Sequence, residues 1–190
     1  MLLLALPFLV CHAMASDDAP FGLRWGAGIE ELKVRGLSGE VVEDDGNHKT
    51  FVARTLPKPT ADTGATRLTI HHRYGLQRIA WQSKDLSDDP TGEKGLDAYS
   101  AMKSSLTAQF GRPKSSDEEM PATPDRNRLS FYQCLAQDGC GAVVSVWSTP
   151  EGDVRARLTG TTAGIGRLEV IFLGPDWSDV AEDLKKPNRK

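Results

Sequence analysis

The chain has 190 residues, with 23 Lys and Arg against 26 Asp and Glu, and its formal net charge is -3. This length fits one compact domain or two small lobes and excludes a large multidomain protein. Because a net negative charge gives no general attraction to phosphate backbones, the composition argues against nucleic-acid binding, and no nucleic-acid partner is expected. Hydrophobic residues make up 39% of the chain, which allows a folded core.

An apolar segment, residues 1–15, begins the chain, and only Pro7 and His12 in it fall outside the hydrophobic set. It ends in Ala-Met-Ala, the small-x-small pattern found before signal-peptide cleavage sites. The segment is shorter than the roughly 20 apolar residues of a bilayer-spanning helix, so no transmembrane segment is expected. The pattern predicts a secretory signal cleaved between Ala15 and Ser16, and hence a periplasmic or secreted protein.

The apolar segment also allows two other interpretations, and it lacks the Lys or Arg that usually precedes the apolar run of a signal. Lipidation at Cys11 is one, although Val10 stands where lipobox sequences have Gly or Ala. A buried N-terminal helix is the other, and the abrupt change to Ser-Asp-Asp after residue 15 argues against it. Simple cleavage is therefore the preferred interpretation.

Loss of the signal would leave two of the three cysteines, Cys134 and Cys140. An even count in an exported chain predicts one disulfide, and the turn-forming pair Asp138-Gly139 can bring the two sulfurs together. A metal site would need further thiol or imidazole ligands near by in sequence, and a redox site would favour C-x-x-C spacing. We expect a structural disulfide that clamps a strand end, with no metal and no other cofactor.

The first half of the chain predicts a short helix and a hairpin. The helix is expected at about residues 28–34, and a strand at residues 51–54 follows a polar stretch. Residues 67–74 alternate between polar and apolar side chains, with His72 on the apolar side. Gly75 then permits a tight reversal into a second strand, in which Ile79 and Trp81 resume the alternation and complete the hairpin.

The second half begins with an amphipathic helix at about residues 96–110, which ends at Gly111 and Pro113. A long surface loop is expected at residues 114–127. Four further segments have strand length and β-rich composition: residues 129–135, 142–148, 154–159 and 168–173.

This order of elements predicts an α+β fold with two α-then-antiparallel-β-meander units, at about residues 21–84 and 94–174. The units would form one curved sheet with both helices packed on one face and the other face open to solvent. We expect a single domain at residues 16–177 and a charged tail at residues 178–190. The arrangement resembles the tandem-repeat fold of the β-lactamase inhibitory protein and of small outer-membrane assembly lipoproteins, a resemblance that carries no function with it.

A second resemblance rests on short motifs spread along the chain. They are the FGLxWG opening at residues 21–26, the segment IEEL at residues 29–32, the FGxP helix end at residues 110–113 and the segment FYQCL at residues 131–135. In these motifs the chain resembles a group of uncharacterised exported proteins of Gram-negative bacteria. The resemblance implies a periplasmic module with one disulfide and gives no catalytic residues. Small exported proteins of this kind include immunity proteins that neutralise toxins.

Histidine is the side chain most expected at a hydrolytic or metal site. His71 and His72 are adjacent on a predicted strand, so they point to opposite faces and are poorly placed to bind one metal ion. We interpret His72 as a hydrogen-bonded histidine of the core or its edge, and His48 lies in a polar loop. The carboxylates at residues 85–93 lack the spacing of a calcium loop. No catalytic residue is therefore assigned.

A cationic surface is the main candidate site. Six side chains fall on the polar alternates of predicted strands, opposite the residues that would face the helices: Arg67, His71, Arg73, Arg155, Arg157 and Arg167. If these strands share one sheet, its open face is basic within an acidic protein, although a simple solvated face would look the same. Trp147 shares its parity with Val143 and Ser145 and is expected on the outer face, where tryptophan can anchor a partner.

These features predict a non-enzymatic binding protein whose partner is an acidic protein. An immunity or inhibitor protein that blocks a toxin or enzyme through its open sheet face is the preferred function. A cell-envelope assembly or scaffold protein is the first alternative. A small periplasmic hydrolase is the second, and it would require polar side chains that converge in a deep pocket around His72.

Overall fold

The computed structural model describes residues 17–119 and 129–185, so the predicted signal and its cleavage site lie outside the described residues. Eight strands form one antiparallel sheet in the order β1-β2-β3-β4-β8-β7-β6-β5. The strands are β1 (Ser38–Asp44), β2 (His48–Thr55), β3 (Thr63–His71), β4 (Gly75–Ser83), β5 (Ser115–Glu119), β6 (Ala142–Thr149), β7 (Gly152–Gly160) and β8 (Gly166–Leu173). The helices are α1 (Ile29–Val34), α2 (Glu93–Phe110), α3 (Phe131–Leu135) and α4 (Trp177–Leu184).

The predicted division into two α-then-β-meander units is wrong. The strands form one continuous sheet, in which β4 pairs with β8 and thereby joins the two halves of the chain. The helices do not repeat either, because α1 has six residues whereas α2 has 18. A further helix, α3, separates β5 from β6, and α4 follows the last strand. The protein is therefore mainly a sheet with a few helices around it.

The segment 129–135, predicted as a strand, forms helix α3 because its first residues make a capping box. The hydroxyl of Ser130 accepts a hydrogen bond from the main-chain N–H of Gln133, and the Gln133 side chain accepts one from the N–H of Ser130. These two bonds satisfy donors that a helix N-terminus otherwise leaves free. Cys134 and Cys140 form the predicted disulfide, with Cα atoms 5.3 Å apart, at the end of this helix rather than of a strand.

Two edge strands were not predicted, because their side chains face solvent on both sides. β1 and β5 carry mostly exposed residues, and β5 falls where a surface loop was expected. Burial of one face gives a strand its alternating pattern, and these two strands bury little. They form the two edges of the sheet and add little to the core.

One face of the sheet carries the core, and α2 packs on it over β6, β7 and β8. A buried polar contact fixes the beginning of α2. The carboxylate of Asp89 accepts hydrogen bonds from the hydroxyl of Tyr132, at 2.6 Å, and from the main-chain N–H of Gly95, at 3.0 Å. Because Asp89 and Tyr132 are both buried, this contact joins α2 to α3 inside the core.

Candidate functional site

The opposite face of the sheet carries a row of residues that the strand register places side by side. Arg67 on β3 lies opposite Ala80 on β4, Ala80 lies opposite Ile171 on β8, and Ile171 lies opposite Arg155 on β7. Directly opposed residues of neighbouring strands point to the same face. Since strands are spaced about 4.8 Å apart, Arg67 and Arg155 lie about 14 Å from each other across a small apolar floor.

Arg78 lies beside this row, two residues from Ala80 on β4. It lies opposite Thr69 on β3 and Leu173 on β8, on the same face as Arg67 and Arg155. Burial lowers the pKa of its guanidinium below the ordinary value, Glu169 opposes that shift, and repulsion from the other arginines, beginning with Arg155, adds to it. Arg78 was not among the predicted residues, although the alternation of Ile79 and Trp81 already placed it on the polar side of β4.

We call Arg67, Arg78, Arg155 and Arg157 the arginine face. Within residues 17–119 and 129–185, only Arg157 of these four forms an ion pair, with Glu169. Glu169 is buried and also accepts a hydrogen bond from the Gln82 side chain at 3.3 Å. Glu169 therefore neutralises Arg157, while Arg67 and Arg155 keep exposed guanidinium groups that have no carboxylate partner in the described part of the chain.

Arg167 and Arg73, also predicted for this surface, lie beside the arginine face. Arg167 is opposite Thr159 on the same side of the sheet, but it forms an ion pair with Asp85 at 2.6 Å. Arg73 follows β3 in a turn, and its guanidinium lies 5.2 Å from the ring centre of Tyr74. Neither side chain contributes an unpaired charge to the centre of the row.

The prediction that His71 is an exposed member of this surface is wrong, because the end of α4 covers it. The residue is 2% exposed, and its Nε2 atom lies 3.5 Å from a carboxylate oxygen of Asp183. Nδ1 accepts hydrogen bonds from the main-chain N–H groups of Arg73 and Tyr74. Burial, followed by the charge of His72, lowers the pKa of His71, and Asp183 acts in the opposite direction.

His72, which was assigned to the core or its edge, is exposed instead, since it follows the last residue of β3. Its Nδ1 atom lies 3.0 Å from the carbonyl oxygen of Asn47. The polar residues converge around its neighbour His71, where a pocket of about 250 Å³ includes His48, Asp45 and Asp183. The side chains that line this pocket in the described residues include imidazoles and carboxylates but no Ser, Thr or Cys.

Trp147 was expected on the outer face, and this prediction is wrong. It is fully buried on the α2 side of the sheet, where its indole N–H donates to the carbonyl oxygen of Gly111 at 3.1 Å. The polar neighbour Ser145 suggested an outward side for both residues. Ser145 is itself buried. Its hydroxyl tolerates burial because it is hydrogen-bonded to the hydroxyls of Tyr99 and Ser116, each at 2.7 Å.

No helix within the described residues is both long and apolar enough to cross a membrane. Across residues 17–119 and 129–185, no group of three or more His, Cys, Asp and Glu side chains is placed to hold a metal ion. No protein-family model, no curated protein and no solved structure matches this chain. The candidate site therefore rests on the geometry and charge of its own residues.

Proposed function

We propose that this protein is an exported binding protein that captures an acidic protein partner on the arginine face. The observation that carries the proposal is the convergence of Arg67, Arg78 and Arg155 on one sheet face without an ion-pair partner in the described residues. Guanidinium groups suit this role because they form paired hydrogen bonds with carboxylates and remain charged at all physiological pH values.

The arrangement favours a folded partner over a single small anion. Arg67 and Arg155 lie on either side of Ala80 and Ile171, so the row offers charge at its ends and a low apolar floor between them. A protein surface with two acidic side chains about 14 Å apart could meet both arginines while it covers the floor. Charge attraction would speed association, and the buried floor would then slow dissociation.

Two features support an exported setting. The Cys134–Cys140 disulfide fits an oxidising compartment, and the first 15 residues have the pattern of a secretory signal. Within such a compartment, an immunity or inhibitor protein that blocks an acidic toxin or enzyme by covering its active cleft is the specific role we propose. The arginine face would supply the contact surface for that steric block.

Affinity capture from a periplasmic extract tests the proposal. The wild type is compared with Arg67→Glu/Arg155→Glu, which reverses the two exposed charges. The control is Lys58→Glu/Arg112→Glu, which reverses two exposed charges elsewhere, one beside Gly22 and one after the end of α2. Arg157 is left unchanged, because a glutamate there would face the buried Glu169. We expect an acidic protein that binds the wild type and the control, elutes with salt and is lost with the face variant. Equal capture by all three proteins would refute the proposal.

A further inference from the structure

The core-bearing face of the sheet contains a groove of about 970 Å³ at the junction of β4, β8 and β7. Its floor consists of cross-strand pairs, in which Trp81 lies opposite Val170 and Val154 lies opposite Phe172. Small-molecule sites typically measure roughly 300–1,000 Å³ and are lined mainly by apolar and aromatic side chains. The groove has the size and the lining of such a site, and it lies on the side of the sheet opposite the arginine face.

The groove is the gap between two elements that cover different halves of the sheet. Helix α2 packs over β6, β7 and β8 and forms one wall. The segment before α1 forms the other wall, where the ring of Phe21 meets that of Phe172 edge-on, with centroids 6.0 Å apart. This segment is held in place by main-chain hydrogen bonds from Gly26 to Leu76, at 3.1 Å, and from Lys58 to Phe21, at 2.9 Å.

The charged residues that line the groove all have the same sign. They are the carboxylates of Asp18, Asp62 and Glu151, and no Lys or Arg lines the groove in the described part of the chain. The side chains of Asp62 and Glu151 form no ion pair within residues 17–119 and 129–185. An anionic ligand would meet repulsion here, whereas a cation would be attracted both to the carboxylates and to the faces of aromatic rings.

We propose that this groove binds an amphiphilic cation, that is, a small molecule with an apolar body and a protonated or quaternary amine. The apolar body lies in the groove between α2 and the segment before α1. The ammonium group lies at one end of the groove, near the carboxylate of Asp62, which precedes β3, or of Glu151, in the turn between β6 and β7. This inference is independent of the proposed function, because the groove and the arginine face share no residue. Loss of one activity therefore leaves the other measurable.

Decyltrimethylammonium, used below its micelle-forming concentration, is the probe, and decyl sulfonate is the matched ligand with the same chain and the opposite charge. Binding is measured by equilibrium dialysis and by intrinsic fluorescence, since Trp25 and Trp81 both line the groove. We expect saturable binding of the cation that is about tenfold tighter than that of the anion. Non-saturable binding, or equal affinity for both, would overturn the proposal.

Two pairs of variants locate the site. Ser105→Trp places a large side chain in the groove and should abolish binding, whereas Ser104→Trp, on the neighbouring exposed position of α2, should not change it. Asp62→Asn/Glu151→Gln should bring the affinities for cation and anion together, whereas Glu93→Gln/Asp97→Asn should preserve the difference. Equal effects within either pair would contradict the assignment.

Other occupants are distinguished in the same assay. A cationic amphipathic peptide that binds where decyltrimethylammonium does not would assign the groove to a protein segment and overturn the small-molecule proposal. Sedimentation of the wild type and of Ser105→Trp tests a second copy of the chain, which would appear as a dimer that only the variant loses. Monomeric protein with selective binding of the cation is the result that supports the proposal.

Discussion

The two faces of the sheet differ in where their aromatic and charged residues lie. On the α2 side, Trp147 and Trp81 are buried, and acidic side chains line the rim of the groove. On the other side, arginines project from β3, β4 and β7 above a floor of small and aliphatic residues. The contrast shows that one sheet can carry the core on one face and present arginine side chains on the other. Substitutions on the two faces should therefore separate stability from binding.

The largest difference between the faces should appear in the free energy of unfolding. Trp147→Ala removes a fully buried indole and its hydrogen bond to Gly111, so we expect a loss of about 3–5 kcal/mol. Arg155→Ala removes an exposed side chain and should change stability by no more than about 0.5 kcal/mol. Urea unfolding followed by circular dichroism measures both. Similar losses for the two variants would contradict the assignment of the faces.

A smaller loss is expected at the buried junction of α2 and α3. Tyr132→Phe removes the hydroxyl that donates to the carboxylate of Asp89 and leaves that buried group with one fewer donor. We expect a loss of about 1–3 kcal/mol in the free energy of unfolding. Tyr74→Phe is the matched control, because the Tyr74 hydroxyl makes no hydrogen bond within the described residues, and it should change stability little. Unchanged stability of Tyr132→Phe would show that this contact does not hold α2 and α3 together.

The same contact predicts a loss of stability in strong acid. Burial raises the pKa of Asp89, but its hydrogen bonds, beginning with that from Tyr132, lower it below the ordinary carboxyl value of 3.8 overall. A carboxyl whose pKa is lower in the folded state stabilises the fold above its unfolded-state pKa, and this contribution is lost as the pH falls through the folded-state pKa. Unfolding measured below about pH 4 should therefore show a smaller acid dependence in Asp89→Asn than in the wild type.

Protonation of His71 should have a separate and weaker effect on stability. This residue is buried beneath α4, on the side of the sheet that carries the arginine face. Its pKa is lowered from the ordinary value of 6.5, mainly by burial, so the unfolded chain binds the proton more readily. Stability is then present above about pH 6.5 and falls as the pH is lowered through the folded-state pKa. His48, His72, Asp45 and Asp183 also face this imidazole. His71→Gln should flatten this part of the unfolding profile, and an unchanged slope would contradict this role of His71.

Substitutions on the arginine face should have the smallest effect on the fold. Arg67→Ala/Arg155→Ala removes two exposed guanidinium groups, and we expect no more than about 0.5 kcal/mol of change for each. Removal of these two charges also reduces repulsion around Arg78, which favours the folded state. Thermal unfolding at low and high salt measures this change, since salt screens the repulsion. A large destabilisation would show that these arginines serve the fold rather than a partner.

The sequence predicted those elements whose burial leaves a pattern. The alternation in β3 and β4 and the periodicity of α2 come from packing one side of each element, and both elements formed. The exposed edges β1 and β5 bury too little to show alternation, and α3 depends on a capping box that a β-rich composition concealed. The arginines of β3 and β7 lie on one face as expected, while Arg78 needed the pairing of β4 with β8 to join them.

Errors at single residues arose where a long-range contact overrode the alternation. His71 is the last residue of β3, and α4, which follows the last strand, packs over it. Trp147 was assigned outward because Ser145 shares its side, but Ser145 is buried and its hydroxyl is hydrogen-bonded to the hydroxyls of Tyr99 and Ser116. Tertiary contacts of this kind involve residues far apart in the chain, which a pattern along the sequence does not contain.

Site-specific photo-crosslinking in living cells tests the central claim most directly. A photoreactive side chain is placed at Val52, which lies opposite Arg67, or at Val146, which lies opposite Arg155, and at Ser104 on α2 as the control. We predict crosslinks to one acidic protein from positions 52 and 146, and none to that protein from position 104. Crosslinks to a partner from position 104 alone would contradict the assignment of the arginine face as the binding surface.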